Sequence, residues 1–360
     1  MSNTSKPYAF ITGTGSYIPE NVIPGSAFQA STFYDNGVLL DKDIRDIIQK
    51  FEDITDISER RYIDEQLVNS DIAAIAAQKA IDMAGIDKES LDHIIFCHNF
   101  GDITYGSNRS SALPSLAVKV KEILAIENPD CIAYDLIFGC PGWVQGAIQA
   151  SYLIQSGDAK KVMVIGAETL SRIIDPHDRD SMIFSDGAGA VIFEARTAAG
   201  TAGILAHKTQ TYAMNYSTLL RMGPGNDPNE SSGNLYIKMN GRKLYEFAVL
   251  NVPQVIKAAI DKAGLDISDI KMVFIHQANG KMDHAIMKRL FKLYERESVP
   301  EHLVPMTISW LGNSSVATIP TLLDLVINKQ ISGYQVNPGD YAVFASVGAG
   351  MHINAIIYKF

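Results

Sequence analysis

The stretch Ala80-Ile81-Asp82-Met83-Ala84-Gly85-Ile86-Asp87 recurs as Ala259-Ile260-Asp261-Lys262-Ala263-Gly264-Leu265-Asp266. In each copy a helical apolar pattern leads in and glycine stops the helix. An acidic spacer then precedes a β-rich run, Ile94-Ile95-Phe96-Cys97 in the first copy and Val273-Phe274-Ile275-His276 in the second. The offset, 264 − 85 = 179 residues, is about half of the 360-residue chain, so the economical reading is two copies of one α/β unit. Further strands are expected at Tyr8–Ile11, Ile132–Phe138, Val162–Ile165, Ala188–Phe193, Tyr341–Ala345 and Ile353–Tyr358. Most are near-continuous apolar runs of the kind a sheet buried on both faces requires, and helical patterns alternate with them, giving α/β layers. Two stretches, Thr209–Gly233 and Asn99–Ser111, read as long surface loops, and such loops are often functional.

Composition narrows the function classes. With 47% hydrophobic and 20% charged residues the chain is globular, and no apolar run approaches the roughly 18 residues of a membrane span. The start, Met1 to Pro7, is polar and carries no export signal, and three cysteines without C-x-x-C spacing suggest neither a disulfide framework nor a zinc site. A reducing cytoplasm is expected. A net charge of −9 argues against nucleic acid or an anionic membrane as the main partner, while leaving room for a local basic face. No H-E-x-x-H or EF-hand spacing occurs, so no metal is assigned.

Among Cys97, Cys131 and Cys140, the last stands out in Phe138-Gly139-Cys140-Pro141-Gly142-Trp143. A strand ends there, proline takes a position the first helical turn tolerates, and Val144–Ile154 is the apolar pattern of a central helix. At a helix N-terminus the macrodipole and free N–H groups favour a thiolate, which attacks carbonyl carbon. An inert core cysteine is the alternative. His276 emerges at a strand's carboxyl end, where open α/β sheets form their sites. Asn313, in Gly312-Asn313-Ser314-Ser315 before the helical pattern Val316–Ile327, reads by itself as a cap or turn residue.

Together, Gly-Cys-Pro-Gly-Trp, His276-Gln277-Ala278-Asn279, Gly312-Asn313-Ser314-Ser315 and Ser346-Val347-Gly348-Ala349-Gly350 resemble the Cys-His-Asn site of β-ketoacyl-acyl-carrier-protein synthase III and its thiolase-fold relatives, among them ketosynthases of the dialkylresorcinol-forming type. The resemblance extends to Gly13-Thr14-Gly15-Ser16-Tyr17-Ile18-Pro19, Gly166-Ala167-Glu168, Asp178-Arg179 and Ser185-Asp186-Gly187-Ala188-Gly189-Ala190. It implies a thiolase-like α/β fold of two duplicated halves, 1–196 with the nucleophile and 197–360 with His and Asn, in a layered αβαβα core. It treats Gly13-Thr14-Gly15 as a strand-end turn.

The resemblance further implies that Cys140 accepts an acyl group from a thioester, with the oxyanion on the N–H groups of Cys140 and Ala349. His276 and Asn313 then donate to a malonyl-type extender as it loses carbon dioxide. Chain-elongating relatives have a second histidine in place of Asn313. An acyl carrier protein is the expected partner, docking on Lys281, Lys288, Arg289 and Lys292, whose seven- and four-residue spacings from Lys281 to Lys292 through Lys288 make one helix face. Glu246 stands where the family tends to have another lysine. A homodimer and no cofactor beyond the thioester substrates are expected. Lys50 and Ile54 replace the Trp and Arg that grip coenzyme A, and Leu113 replaces the phenylalanine that bounds the acyl pocket, which points to a medium or long acyl donor. A non-decarboxylative joining of two acyl or β-ketoacyl thioesters uses the same residues. A papain-like peptidase also orders Cys, His and Asn with a suitable spacing, 276 − 140 = 136, but its signature around the cysteine differs and it has no half-chain duplication. A catalytically silent acyl- or carrier-binding protein is a third reading, disfavoured by the intact Cys140, His276 and Asn313.

Overall fold

The computed structural model describes residues 7–197 and 202–360, so the polar start, Met1–Lys6, lies outside the described residues. Two sheets carry the fold. The first contains Tyr8–Tyr17 (β1), His93–Cys97 (β2), Ile132–Leu136 (β3), Lys161–Thr169 (β4) and Asp186–Arg196 (β5), in the order β1-β5-β4-β2-β3. The second contains Gly203–Thr211 (β6), Ile270–Ile275 (β9), Tyr341–Gly348 (β10) and His352–Lys359 (β11), in the order β6-β11-β10-β9. Between β6 and β9 in the chain, Leu220–Gly223 (β7) pairs antiparallel with Tyr236–Met239 (β8) as a separate ribbon. Both sheets show the same run of senses, two antiparallel pairings and then a parallel one, and the first adds β3 in parallel at its edge.

The repeated motif ends equivalent helices. Asn69–Ala84 (α2) stops at Gly85, φ 63°, and Gly241–Ala263 (α5) stops at Gly264, φ 73°; each glycine donates its N–H back into the last turn. The left-handed conformation that ends both helices is cheap only without a Cβ. A 3-10 turn and then β2 or β9 follow in each copy.

Three apolar clusters separate five layers. The innermost joins Gly142–Ser156 (α4) and Thr318–Ile327 (α7) to the facing sides of both sheets, through Trp143, Val144, Leu322, Phe193 and Phe344. A second packs α2 and Leu116–Ile123 (α3) on the outer face of the first sheet. A third packs α5 and Gly280–Lys292 (α6) on the outer face of the second. A fourth lies beside the layers, where Ile47 and Phe51 of Ile44–Thr55 (α1) meet Ile237 of β8. This is the thiolase-like αβαβα arrangement.

Several sequence expectations change. Thr209–Gly233 is no plain loop: β6 runs to Thr211, and β7 lies inside the stretch, paired with β8 just beyond it. Asn99–Ser111 is irregular but closed on itself by the Asp102–Ser111 bridge. The run from Ile132 ends as a strand at Leu136 and is half-exposed, since β3 is an edge strand, and Ile137 beyond it is 67% exposed. Val316 and Ala317 belong to a 3-10 turn before α7. Gly13-Thr14-Gly15 is mid-strand: a Cβ at either glycine would strike the backbone of α2, so these glycines admit a close helix–strand crossing.

Candidate active site

Cys140 sits between β3 and α4 on a turn that only glycines allow. Gly139 has φ 66°, and a Cβ there would stand 2.6 Å from the carbonyl oxygen and 2.8 Å from the nitrogen of Ala349. Conversely, a Cβ on Gly348 would stand 2.6 Å from the nitrogen and 2.8 Å from the Cβ of Cys140. The Cys140 turn therefore lies directly on the β10–β11 turn. Ser315 Oγ donates to the sulfur at 3.2 Å, and the backbone N–H groups of Cys140 and Ala349 lie near enough to favour its charged form. Two backbone donors converging on one point are what an oxyanion requires.

Strand β9 delivers His276, whose N–H donates to Ala345 O at 2.8 Å and whose ring is buried. Gln277 locks the strand end, donating to Pro305 O at 2.7 Å and accepting from Thr307 N at 2.8 Å and Ile308 N at 3.0 Å. Burial pushes the imidazole down to about 4, opposed weakly by the nearby Ser315 backbone, so His276 is neutral at ordinary pH. Asn313 is fixed by its N–H on Ile183 O at 3.0 Å and by its carbonyl, which accepts from Ser185 N at 2.9 Å. Its Oδ1 accepts from Ser315 N at 2.8 Å, which leaves the amide nitrogen as the end available to a substrate.

Cys140, His276, Asn313 and Ala349 line one cavity of about 1230 Å³, with Ile47 and Phe51 of α1 and Leu220, Met222, Ile237 and Met239 of the β7–β8 ribbon on its apolar walls. Lys50 and Ile54 line it as well. Cys97 and Cys131 are buried elsewhere, with thiols pushed up by burial.

The thiolate expected at Cys140 is corrected. Desolvation pushes the thiol up to about 11 despite the Ser315 and backbone hydrogen bonds, and the nearby Glu168 carboxylate pushes the same way. Since only thiolate is alkylated, a raised thiol holds less of it at every pH below that value. Iodoacetamide labelling of Cys140, followed by peptide mass spectrometry, should accelerate about tenfold per pH unit from pH 8 to 10. A plateau already reached at pH 8 would contradict the raised value.

Leu113 does not line the cavity of its own chain and is 91% exposed. Lys281, Lys288, Arg289 and Lys292 are all exposed on α6, while Met282, Ile286, Met287 and Leu290 turn inward. Met282 reaches the cavity, so this basic face begins beside it. The sequence pointed to Ser315 only inside a motif, to Asn99 and β7 only as parts of two long loops, and not to β8 at all. The φ of 52° at Ser315 leaves no trace in residue type. Among the described residues no group of three or more His, Cys, Asp or Glu is placed to hold a metal ion.

Two family models match the chain, 3-oxoacyl-acyl-carrier-protein synthase III over residues 134–213 and its C-terminal counterpart over 260–360. The chain is 31% identical over 355 residues to β-ketoacyl-acyl-carrier-protein synthase III of Cereibacter sphaeroides, covering 98% of each. It is 32% identical over 354 residues to the enzyme of that name from Neisseria meningitidis, covering 98% of this chain and 99% of that one. A solved Thermus thermophilus synthase III superposes with a TM-score of 0.80 at 28% identity, over 98% of this chain and 99% of that one. The protein belongs to the synthase III family of ketosynthases, within the thiolase-like fold.

Proposed function

We propose that this enzyme makes a carbon–carbon bond by Claisen condensation of an acyl group on Cys140 with a malonyl-type, carrier-linked extender. The observation that carries the reading is the meeting of Cys140 from one half with His276, Asn313 and Ala349 from the other in a single cavity. In the first step Cys140 sulfur adds to the donor thioester carbonyl, and the oxyanion rests on the N–H groups of Cys140 and Ala349. Collapse expels the donor thiolate, which takes up the proton that Cys140 gave up.

In the second step the extender's thioester oxygen accepts hydrogen bonds from His276 and Asn313 while the C–COO⁻ bond breaks and carbon dioxide leaves. The enolate carbon attacks the acyl-Cys140 carbonyl; collapse breaks the carbon–sulfur bond, forms the β-ketoacyl thioester and expels Cys140 as a thiolate, which takes a proton from solvent. A neutral imidazole and an amide suit this role because both donate hydrogen bonds without moving a full charge. The apolar cavity walls support a medium or long acyl donor, and Lys50 and Ile54 support delivery by a carrier rather than by coenzyme A.

The basic face of α6 is the docking site for an acidic acyl carrier protein in this reading, and reversing two of its charges, Lys288→Glu with Arg289→Glu, should lower kcat/KM for carrier-linked substrate by about tenfold or more. The rate with a pantetheine thioester should stay within about twofold. An unchanged carrier-linked rate would remove the docking role. The unpaired edge of β3, with exposed Ile132, Ile137 and Leu113, supports a homodimer in which Leu113 bounds the partner's acyl pocket. The halves divide at 196/197, and the unpaired thiols suit the cytoplasm.

Mass spectrometry of Cys140 after incubation with acyl-carrier and acyl-coenzyme A thioesters, with and without malonyl-carrier protein, tests the whole reading. The expected adduct appears with medium or long chains and clears with malonyl-carrier, yielding a β-ketoacyl product. Transfer of acetyl groups alone would defeat the chain-length reading. An adduct cleared only by a second acyl or β-ketoacyl thioester would make the reaction non-decarboxylative.

A further inference from the structure

Behind the nucleophile lies a carboxylate with no place in the steps above. Glu168, at the carboxyl end of β4, is 1% exposed. Its Oε1 accepts the backbone N–H of Asn99, and the Asn99 side chain lies close enough to the same carboxyl to favour its charged form. Asn99 Nδ2 in turn reaches Ser315 Oγ at 3.5 Å, and Ser315 Oγ donates to Cys140 Sγ at 3.2 Å. Ser315 is held at φ 52°, a left-handed conformation that a residue with a Cβ adopts only when its surroundings enforce it. The turn that holds this backbone conformation also sets the Ser315 hydroxyl on the Cys140 sulfur.

We infer that Glu168 is a positioning residue for Cys140: it anchors Asn99, Asn99 orients Ser315, and the Ser315 hydroxyl is thereby held as a donor to the sulfur. The inference rests on Cys140 being the nucleophile, as proposed above. An amide that occupies the Ser315 oxygen as donor leaves the hydroxyl hydrogen for the sulfur, which is the orientation a thiolate needs. The carboxylate also acts through space. Its charge disfavours a second negative charge at Cys140, and burial places its own proton affinity at about 7. The charged and titratable groups facing Glu168 are His98, which is paired with Asp135 at 3.0 Å, and Asp186 of β5; those facing Cys140 are Glu168 and His276. The two effects oppose each other, and substitutions separate them.

The readout is the pH profile of iodoacetamide labelling at Cys140, which needs no acyl substrate. Glu168→Gln keeps an acceptor oxygen for Asn99 and removes the charge, so its labelling midpoint should fall and its rate at pH 8 should rise about three- to tenfold. Adding Asn99→Ala to Glu168→Gln cuts the chain with the charge already gone, and should return the rate at least about threefold toward the slow side. Ser315→Ala, which deletes the donor, should label about tenfold more slowly than wild type. A carboxyl with a merely structural role would leave every midpoint in place. An unchanged midpoint in Glu168→Gln, or a double variant as fast as Glu168→Gln, overturns the inference. If Glu168→Gln does not fold, Glu168→Asp decides: it keeps the charge and shortens the reach, so its midpoint should rise, and one at or below wild type overturns the inference. If these shifts occur while Cys140 takes no acyl group from any thioester, the proposed reaction fails and the positioning chain stands.

Discussion

Gly139→Ala is expected to slow acylation of Cys140 by about 10²–10³ and to destabilise the fold by several kcal/mol. At φ 66° an alanine already costs about 1–2 kcal/mol. The larger effect is steric, because the new methyl would stand 2.6 Å from the Ala349 carbonyl oxygen and 2.8 Å from its nitrogen. Real contacts of that length do not persist, so one of the two turns has to move. The Ala349 turn has no slack, since Gly348 beside it already leaves no room for a Cβ against Cys140. Displacing Ala349 withdraws one of the two N–H groups at the sulfur, and loss of a single oxyanion donor costs about 10²–10³ in rate. Gly157→Ala is the control: φ is 87° and nothing lies within 4 Å of its Cβ, so it carries the conformational cost without the collision. Thermal unfolding and mass spectrometry of the acyl adduct, run on both variants, separate the two terms. A Gly139→Ala enzyme that acylates at the wild-type rate would mean that the contact between the two turns does not set the oxyanion site.

The duplication was legible in the sequence because helix stops are chemically explicit. A glycine after an apolar helical pattern fixes a left-handed cap, and Gly85 and Gly264 each end a helix that leads into the equivalent strand of its own sheet. The turn that carries Cys140 was legible for a similar reason, a strand, a glycine and a proline in succession at the start of α4. Features that depend on what lies opposite in space were not. Whether β3 is central or at an edge depends on a neighbour that its own residues do not specify. Gly13 and Gly15 look like turn residues until α2 is laid across them. Desolvation at Cys140 escaped for the same reason: local sequence shows the helix N-terminus that favours a thiolate, but not the burial that outweighs it.

The second large effect concerns Asn313, where the two half-reactions should separate. Asn313→Ala is expected to leave Cys140 acylation within about tenfold of wild type while condensation with malonyl-carrier protein falls by about 10²–10³. The asymmetry follows from where charge develops. During acylation the negative charge sits on the donor oxygen, near the N–H groups of Cys140 and Ala349. During decarboxylation it appears on the extender's thioester oxygen, where His276 and Asn313 are the donors at hand. His276, held neutral, supplies only a dipole there, so losing the amide beside it removes a large share of the stabilisation. The modest loss in acylation arises because Asn313 Oδ1 also holds Ser315 N at 2.8 Å, and Ser315 holds the sulfur. Asn313→Asp separates these roles. It keeps an acceptor for Ser315 N, deletes the amide donor and places negative charge where the enolate forms, so condensation should fall at least as far as in Asn313→Ala. Adduct formation and product release, timed separately by mass spectrometry, read the two steps. If both steps fall together in Asn313→Ala and neither falls in Asn313→Asp, Asn313 serves Cys140 through Ser315, and enolate stabilisation falls to His276 alone.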